Sequence, residues 1–311
     1  MGSGIKIFAP ATVANVACGF DILGFALHHV GDEIIVKKSA SKGLKISKII
    51  GDKNKLPLEI EKNTAGWAAF KLLEYLGETD NGIDFEIHKK MPFGSGLGSS
   101  AASAVAGVMA INAFLKNPLE KKELLRFAID GESIASGARH ADNVAPSLLG
   151  GMMLIRDSSD KPDVHRIPLP KGMYATVVHP HINILTKEAR SLLSPTVTLK
   201  QHIQQSGNLA GLIVGFFNAD FDLIQKSMTD VIIEEQRAPL IPGFYDAKEA
   251  ALKCGALGCS ISGSGPSIFA FTNNSLVAEN IGEEFKKVYT SLKIPHNIYI
   301  SPINNEGAVI L

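Results

Sequence analysis

Long apolar runs, clustered cysteines and an excess of either charge are all missing from this sequence, and each absence removes a class of protein. The three cysteines, Cys18, Cys254 and Cys259, form no CxxC pair and have no histidine ligand set beside them. That argues against a disulfide framework or a zinc site and fits buried thiols in a reducing compartment. Lys and Arg number 31 and Asp and Glu number 31, so the formal charge is zero. No basic run or interleaved aromatic platform is present to meet a nucleic acid or an anionic membrane. No apolar run reaches membrane-spanning length, and the first residues lack a signal-peptide core. The expectation is a cytoplasmic protein whose partner is a small metabolite. Gly2-Ser3-Gly4 carries no functional weight, and there is no internal repeat or low-complexity tract. A chain of 311 residues is long enough for two ordinary domains.

What is present in quantity is glycine at meaningful spacing. The segment Pro92-Phe93-Gly94-Ser95-Gly96-Leu97-Gly98-Ser99-Ser100-Ala101-Ala102 follows a strand expected over Phe85 to Lys90 and precedes a strongly helical run from Ala101 to Phe114. Its three glycines permit positive φ and close backbone approach, and Ser99 or Ser100 is placed to cap the helix. Free N–H groups at a helix start, with the positive end of the helix dipole, favour an anion such as phosphate. A Walker A loop would need Lys before the Ser/Thr, the dinucleotide fingerprint would need Gly where Ser99 stands, and no G-x-S-x-G elbow occurs in this stretch. The bland alternative is that small residues merely let this helix pack tightly.

Elsewhere the pattern predicts strands over Ile5 to Ala9, Asp32 to Lys38, Met152 to Arg156 and Tyr174 to Val178, with a variable polar region up to Pro57. Pro10 to Asn15 leads away from the first strand into a turn around Gly19. Helices are expected from Asn63-Thr64 to about Leu76, from Leu119 to about Gly137 behind an Asn117-Pro118 cap, and near 243–254 and 276–292, with two more between Thr198 and Thr229. Taken alone, Asn15 and Asp21 suit turn chemistry and Asn63 suits an N-cap. Arg190 could be a snorkelling helix arginine and Arg237 a surface partner for Glu234. Glu132, among small residues, is either a solvated or salt-bridged side chain or a magnesium ligand. Magnesium needs only one or two protein carboxylates beside phosphate oxygens. The glycines of the 258–266 stretch suit either a tight turn or a loop that approaches the phosphate site.

PFGSGLGSSAA resembles the phosphate-binding motif of the GHMP small-molecule kinases. The stretches PATVANVACGFDILGFAL, GESIASGARHADNVAPSLLGG, TKEAR and Arg237 before its Pro-rich turn are similar to the homoserine kinase branch of that family. The 258–266 loop resembles the third GHMP motif, so the likeness spans essentially the whole chain. It implies an α+β, two-domain GHMP kinase fold. The N-terminal half, 1–165, would be ribosomal protein S5 domain 2-like and hold the nucleotide, and the C-terminal half, 166–311, would be ferredoxin-like.

The resemblance further implies ATP and Mg2+, with residues 92 to 102 of the loop, Gly263, Gly265 and Asn63 toward the nucleotide and Ser100 and Glu132 on the metal. Substrate contacts fall to Asn15, Asp21, His140, Asn143, Thr186, Arg190 and Arg237, and catalysis to Glu132, Ser100 and Asn143. Relatives in the family place a catalytic Asp in this region, and spacing does not decide between Asp142 and Asn143. The implied reaction phosphorylates the hydroxyl of L-homoserine, a step toward threonine, in a homodimer. No Lys–Asp catalytic pair is evident. Two alternatives stand beside this reading: a GHMP kinase for mevalonate or a sugar, and a catalytically silent nucleotide or metabolite sensor.

Overall fold

Pro10 lies inside the first strand rather than at its end. In the computed structural model, which describes residues 4–116 and 119–311, β1 (Ile5–Ala14) pairs antiparallel with β2 (Leu23–Lys38), and the register shifts between Pro10 and Thr12. A bulge accommodates a residue with no N–H to donate, so the strand continues to Ala14. A third strand, β3 (Leu44–Ile50), occupies part of the stretch expected to be a variable polar region. It is a mostly exposed edge strand, parallel to β4 (Ile83–His88), and its lysines keep that edge polar.

Helix α1 (Thr64–Leu76) starts where Asn63 Oδ1 accepts the N–H groups of Ala65 and Gly66, and it stops at Gly77 in the left-handed region. α2 (Ser99–Phe114) follows the glycine-rich loop. α3 (Lys121–Ser136) begins where the Glu123 side chain accepts the Glu120 N–H at 2.8 Å. The cap expected at Asn117-Pro118 lies outside the described residues. α4 (Val144–Leu149), β5 (Met152–Asp157) and β6 (Asp163–Ile167) complete the first half of the chain. Positions 165 and 166, between which the domain break is expected, are both in β6.

The remainder comprises β7 (Tyr174–Pro180), α5 (Thr186–Ser191), α6 (Leu199–Asn218), α7 (Phe221–Ser227), α8 (Glu234–Arg237) and α9 (Phe244–Lys253). Then come β8 (Gly258–Ile261), β9 (Ile268–Thr272), α10 (Ser275–Ser291), β10 (His296–Pro302) and β11 (Val309–Ile310). One sheet has the order β11-β1-β2-β4-β3, extended by β5 on β2 and β6 on β5, and the other has the order β10-β7-β9-β8.

α2 is buried on every side from Ala101 to Asn112. Its alanines and Gly107 let α1, α3 and the first sheet approach closely, which suits a helix that is apolar all round. The core around it continues beneath the second sheet, where the Phe25 ring meets Phe269 and Phe271 with centroids 5.8 and 4.7 Å apart. A separate core that includes Val178, Phe244, Ala247, Phe285 and Tyr289 unites β7 with α9 and α10. Among the described residues, no helix is long and apolar enough to cross a membrane.

Candidate active site

A cavity of about 360 Å³ opens where the loop before α2, the end of α3, the β1–β2 turn, α5 and α8 converge. Gly94, Gly96 and Gly98 in the loop all have positive φ. Gly98, rather than Ser99 or Ser100, is the N-cap of α2. A Cβ there would fall 2.1 Å from Thr12 Oγ1 and 2.7 Å from Asn143 Oδ1, so a side chain would have to displace both. The serine hydroxyls are used elsewhere: Ser99 Oγ donates to Asp32 Oδ2 at 3.3 Å and Ser100 Oγ to Glu132 Oε1 at 2.9 Å. Both serines line the cavity at the first turn of α2, where backbone N–H groups have no intrahelical acceptor.

The loop is braced by the later glycine-rich turn. Ser262 Oγ donates to the Gly96 carbonyl at 2.6 Å, and the Ser267 N–H donates to the Ser95 carbonyl at 3.2 Å. A Cβ on Gly96 would stand 2.4 Å from the Ser262 carbonyl oxygen, so the contact requires glycine. Beneath the loop lies a feature that sequence reasoning missed. Lys89 is buried, pairs with the buried Asp32, and donates to the Ser99 carbonyl at 2.9 Å and to Ser103 Oγ at 2.7 Å. Asp32 Oδ1 also accepts the N–H groups of Lys90 and Met91, at 2.8 and 3.1 Å. The pair thereby ties β2, the loop and α2 together, and Lys89 forms part of the cavity wall.

Two carboxyls near the loop are held far from their usual acidity. Glu132 keeps some exposure, yet its Oε2 is buried with no hydrogen-bond partner. Burial, reinforced by the Asp142 charge, pushes its pKa up to about 7. Asp142 is also pushed up to about 7, by burial and then by the Asp21 charge. The unpartnered oxygen beside Ser100 and the anion-binding N–H groups suit a divalent cation. Among the described residues there is no cluster of three or more His, Cys, Asp or Glu that could hold a metal ion.

At the other end, Arg190 Nη2 donates to Asp21 Oδ1 and Oδ2 at 2.7 and 2.9 Å, and His140 Nδ1 is 4.0 Å from Asp21 Oδ2. Burial draws the His140 pKa down, against the Asp21 charge. Arg237 is 2% exposed, donates through Nη1 to the Gly263 carbonyl at 2.9 Å, and has a buried, unpartnered Nε. Burial and then the Arg190 charge bring it down to about 10. The local pairing with Glu234 does not form, because Glu234 accepts from Lys248 at 2.5 Å and from Ser260 at 2.9 Å. Asn143 Oδ1 accepts from Thr12 Oγ1 at 2.7 Å, and Thr186 Oγ1 is 3.3 Å from Ser264 Oγ.

The cavity wall therefore brings together Asn15, Asp21, His140, Asn143, Thr186, Arg190, Arg237, Glu132, Ser100 and Gly263, along with Asn63, Phe93, Gly94, Ser95, Gly96, Gly98 and Ser99. Pro92, Leu97, Ala101, Ala102 and Gly265 are off the wall, and Leu97, Ala101 and Ala102 belong to the core beneath. Two wall residues, Asn63 and Asn15, use both ends of the side-chain amide on backbone groups. Asn63 caps α1 and also donates to the Pro57 carbonyl at 2.9 Å, so its amide serves the helix start. Asn15 accepts the Asp21 N–H at 3.0 Å and donates to the Gly263 carbonyl at 2.7 Å, bracing the turn. Leu56, Pro57 and Ile87 add apolar wall that no sequence motif marked, and Ile134 adds more from within the GESIASG stretch.

Known proteins resemble this chain along nearly its whole length. The family model for the GHMP kinases N terminal domain matches residues 63–151, and that for the GHMP kinases C terminal matches residues 212–291. A homoserine kinase of Chlorobium phaeobacteroides (strain BS1) is 47% identical over 316 residues, covering 98% of each chain. One from Chlorobaculum tepidum is 44% identical over 98% of this chain and 97% of its own. The crystal structure of homoserine kinase from Cytophaga hutchinsonii superimposes with a TM-score of 0.96 at 50% identity, over 100% of this chain and 98% of that one. With both family models matched in order and near-full-length relatives at such identity, this chain belongs to the GHMP kinase family.

Proposed function

We propose that this protein transfers the γ-phosphoryl group of ATP to the side-chain hydroxyl of L-homoserine, giving O-phospho-L-homoserine. One observation carries the choice of substrate. A carboxylate and two guanidiniums, Asp21, Arg190 and Arg237, share a single cavity with a backbone anion site. An amino acid presents the complementary ammonium and carboxylate, and arginine's planar fork suits a carboxylate. Mevalonate and sugars have no ammonium for Asp21 to meet. The names of the near-full-length relatives support the same substrate.

The nucleotide phosphates are held by the N–H groups of the loop and of the first turn of α2. Ser100 and Glu132 are the protein ligands we assign to Mg2+, which when bound would neutralise phosphate charge. Arg237 and Arg190 hold the carboxylate, Asp21 the ammonium, and His140 and Thr186 flank them. Asn143, whose amide oxygen is fixed by Thr12, keeps its NH2 for the reacting hydroxyl. Phosphoryl transfer has a loose transition state, so alignment and charge neutralisation supply most of the acceleration and a strong base is unnecessary. On this reading residues 1–165 hold the nucleotide and residues 166–311 close over it. Assays with magnesium ATP and a panel of alcohols test the proposal: L-homoserine should be turned over far faster than mevalonate or galactose. Faster turnover of either of those would refute the substrate while leaving a kinase.

A further inference from the structure

The turn between β1 and β2 holds three non-glycine residues at positive φ. Asn15, Ala17 and Asp21 have φ of 70°, 53° and 62°, a region where non-glycine residues are uncommon. Such geometry persists where the surroundings enforce it, and here the Asn15 amide does so by bridging Asp21 and Gly263. Between these braced residues the turn presents Phe20. The ring is partly exposed and belongs to neither hydrophobic core, so packing does not explain it. Its centroid lies 5.3 Å from the guanidinium carbon of Arg190 and 5.0 Å from that of Arg237. Its other surroundings are a second cavity of about 510 Å³, which it lines with Ile22, Leu193 and Ile233.

We propose that Phe20 is a positioning residue for the substrate carboxylate, its ring holding the Arg190 and Arg237 guanidiniums close enough to act as one anion-reading fork. The proposal rests on the homoserine reading above. Two like charges repel, and here Arg237 is almost fully desolvated. The negative face of an aromatic ring offsets that repulsion without supplying a counter-ion that would compete with the substrate. Asp21, by contrast, is such a counter-ion, and Arg190 is bound to it. When a carboxylate draws Arg190 from Asp21, the ring still fixes where the guanidinium can go.

Phe20→Leu removes the ring and keeps a bulky apolar side chain, whereas Phe20→Tyr keeps the ring. Phe20→Leu should raise the KM for L-homoserine about tenfold, with kcat at saturation and the KM for ATP unchanged. It should also lower the preference for L-homoserine over its carboxamide about tenfold, and Phe20→Tyr should preserve both values. A lowered melting temperature with an unchanged acid-to-amide preference would overturn the proposal, since a packing role predicts that result. A second measurement does not depend on the substrate. The Nε–H resonances of Arg190 and Arg237 should be displaced by ring current in the wild type and in Phe20→Tyr, and both should lose that displacement in Phe20→Leu. Unmoved resonances would likewise overturn it. A wild type that shows no preference for the free acid would instead refute the homoserine reading, and the arginine resonances would still decide whether Phe20 holds the pair.

Discussion

Arg190 reaches both oxygens of the Asp21 carboxylate through one nitrogen, Nη2, at 2.7 and 2.9 Å. The two groups assigned to the ends of the substrate thus neutralise each other. An amino acid entering the cavity would exchange one internal ion pair for two external ones, whereas a ligand with a single charge would strand one partner. Asp21→Asn should therefore erode the discrimination between L-homoserine and 4-hydroxybutyrate, which lacks the ammonium. A hydrogen bond to a charged group is worth about 1.5–3 kcal/mol, so the ratio of kcat/KM values should fall at least about tenfold. An unchanged ratio would assign Asp21 to restraining Arg190 alone.

Glu132→Gln keeps the shape of the side chain and its bond from Ser100 while removing the charge we assign to the metal. Turnover should fall about 10²–10³-fold, as on loss of one well-placed electrostatic stabiliser. Nucleotide binding, followed by calorimetry, should change far less. Near wild-type turnover at saturating magnesium would leave Glu132 as a hydrogen-bond acceptor for Ser100 and nothing more.

Gly77 and Gly98 offer a matched pair, since both are left-handed, with φ of 70° and 66°. A Cβ on Gly77 would meet nothing within 4 Å, whereas one on Gly98 would strike Thr12 and Asn143. Gly77→Ala should cost about 1–2 kcal/mol of stability and leave activity intact. Gly98→Ala should displace the start of α2 and lower activity by about a hundredfold or more, as a misplacement of about 1 Å can. Equal activities for the two variants would show that the close approach at Gly98 is dispensable.

His179 is 3% exposed, with Nδ1 3.3 Å from Ser267 Oγ. Burial and then the His181 charge bring its pKa down to about 4. Between about pH 6.5 and pH 4 the unfolded chain therefore carries a proton that the native state does not, so stability rises with pH through that window and is lost as pH falls. The loss approaches about 3 kcal/mol. Urea denaturation across this range should show a shallower pH slope for His179→Gln, by one proton. Identical slopes would mean that His179 is protonated in the native fold.

Much of the architecture was legible because it is local. Asn63 before an apolar helical run marks the start of α1, and three glycines ahead of an alanine-rich stretch mark the turn into α2. The β3 edge strand was not legible, since most of its side chains face water and its lysines resemble loop residues. Pro10 also misled, because a bulge that absorbs proline depends on the partner strand. In the site, the Lys89–Asp32 pair joins residues 57 apart in sequence. It arises from the register of β2 on β4, in which Glu33 faces His88, and no spacing rule encodes that register. Proximity in sequence misdirected as well. Glu234 is three residues from Arg237, yet it points to Lys248 and Ser260 while Arg237 turns to Gly263. Motif resemblance proposed Arg237 for the site without saying what would hold it there.

The bond from Ser262 to the Gly96 carbonyl bears on how such a chain can be divided. A fragment ending near Ile167 would carry the glycine-rich loop itself, but the carbonyls of Ser95 and Gly96 would lose their donors and Phe25 would lose the rings it packs against. The halves consequently share one brace behind the glycine-rich loop. Exchange of either half with a relative would succeed where the incoming 262–267 turn keeps donors for the carbonyls of Ser95 and Gly96, and a turn without them would leave the glycine-rich loop unbraced from behind.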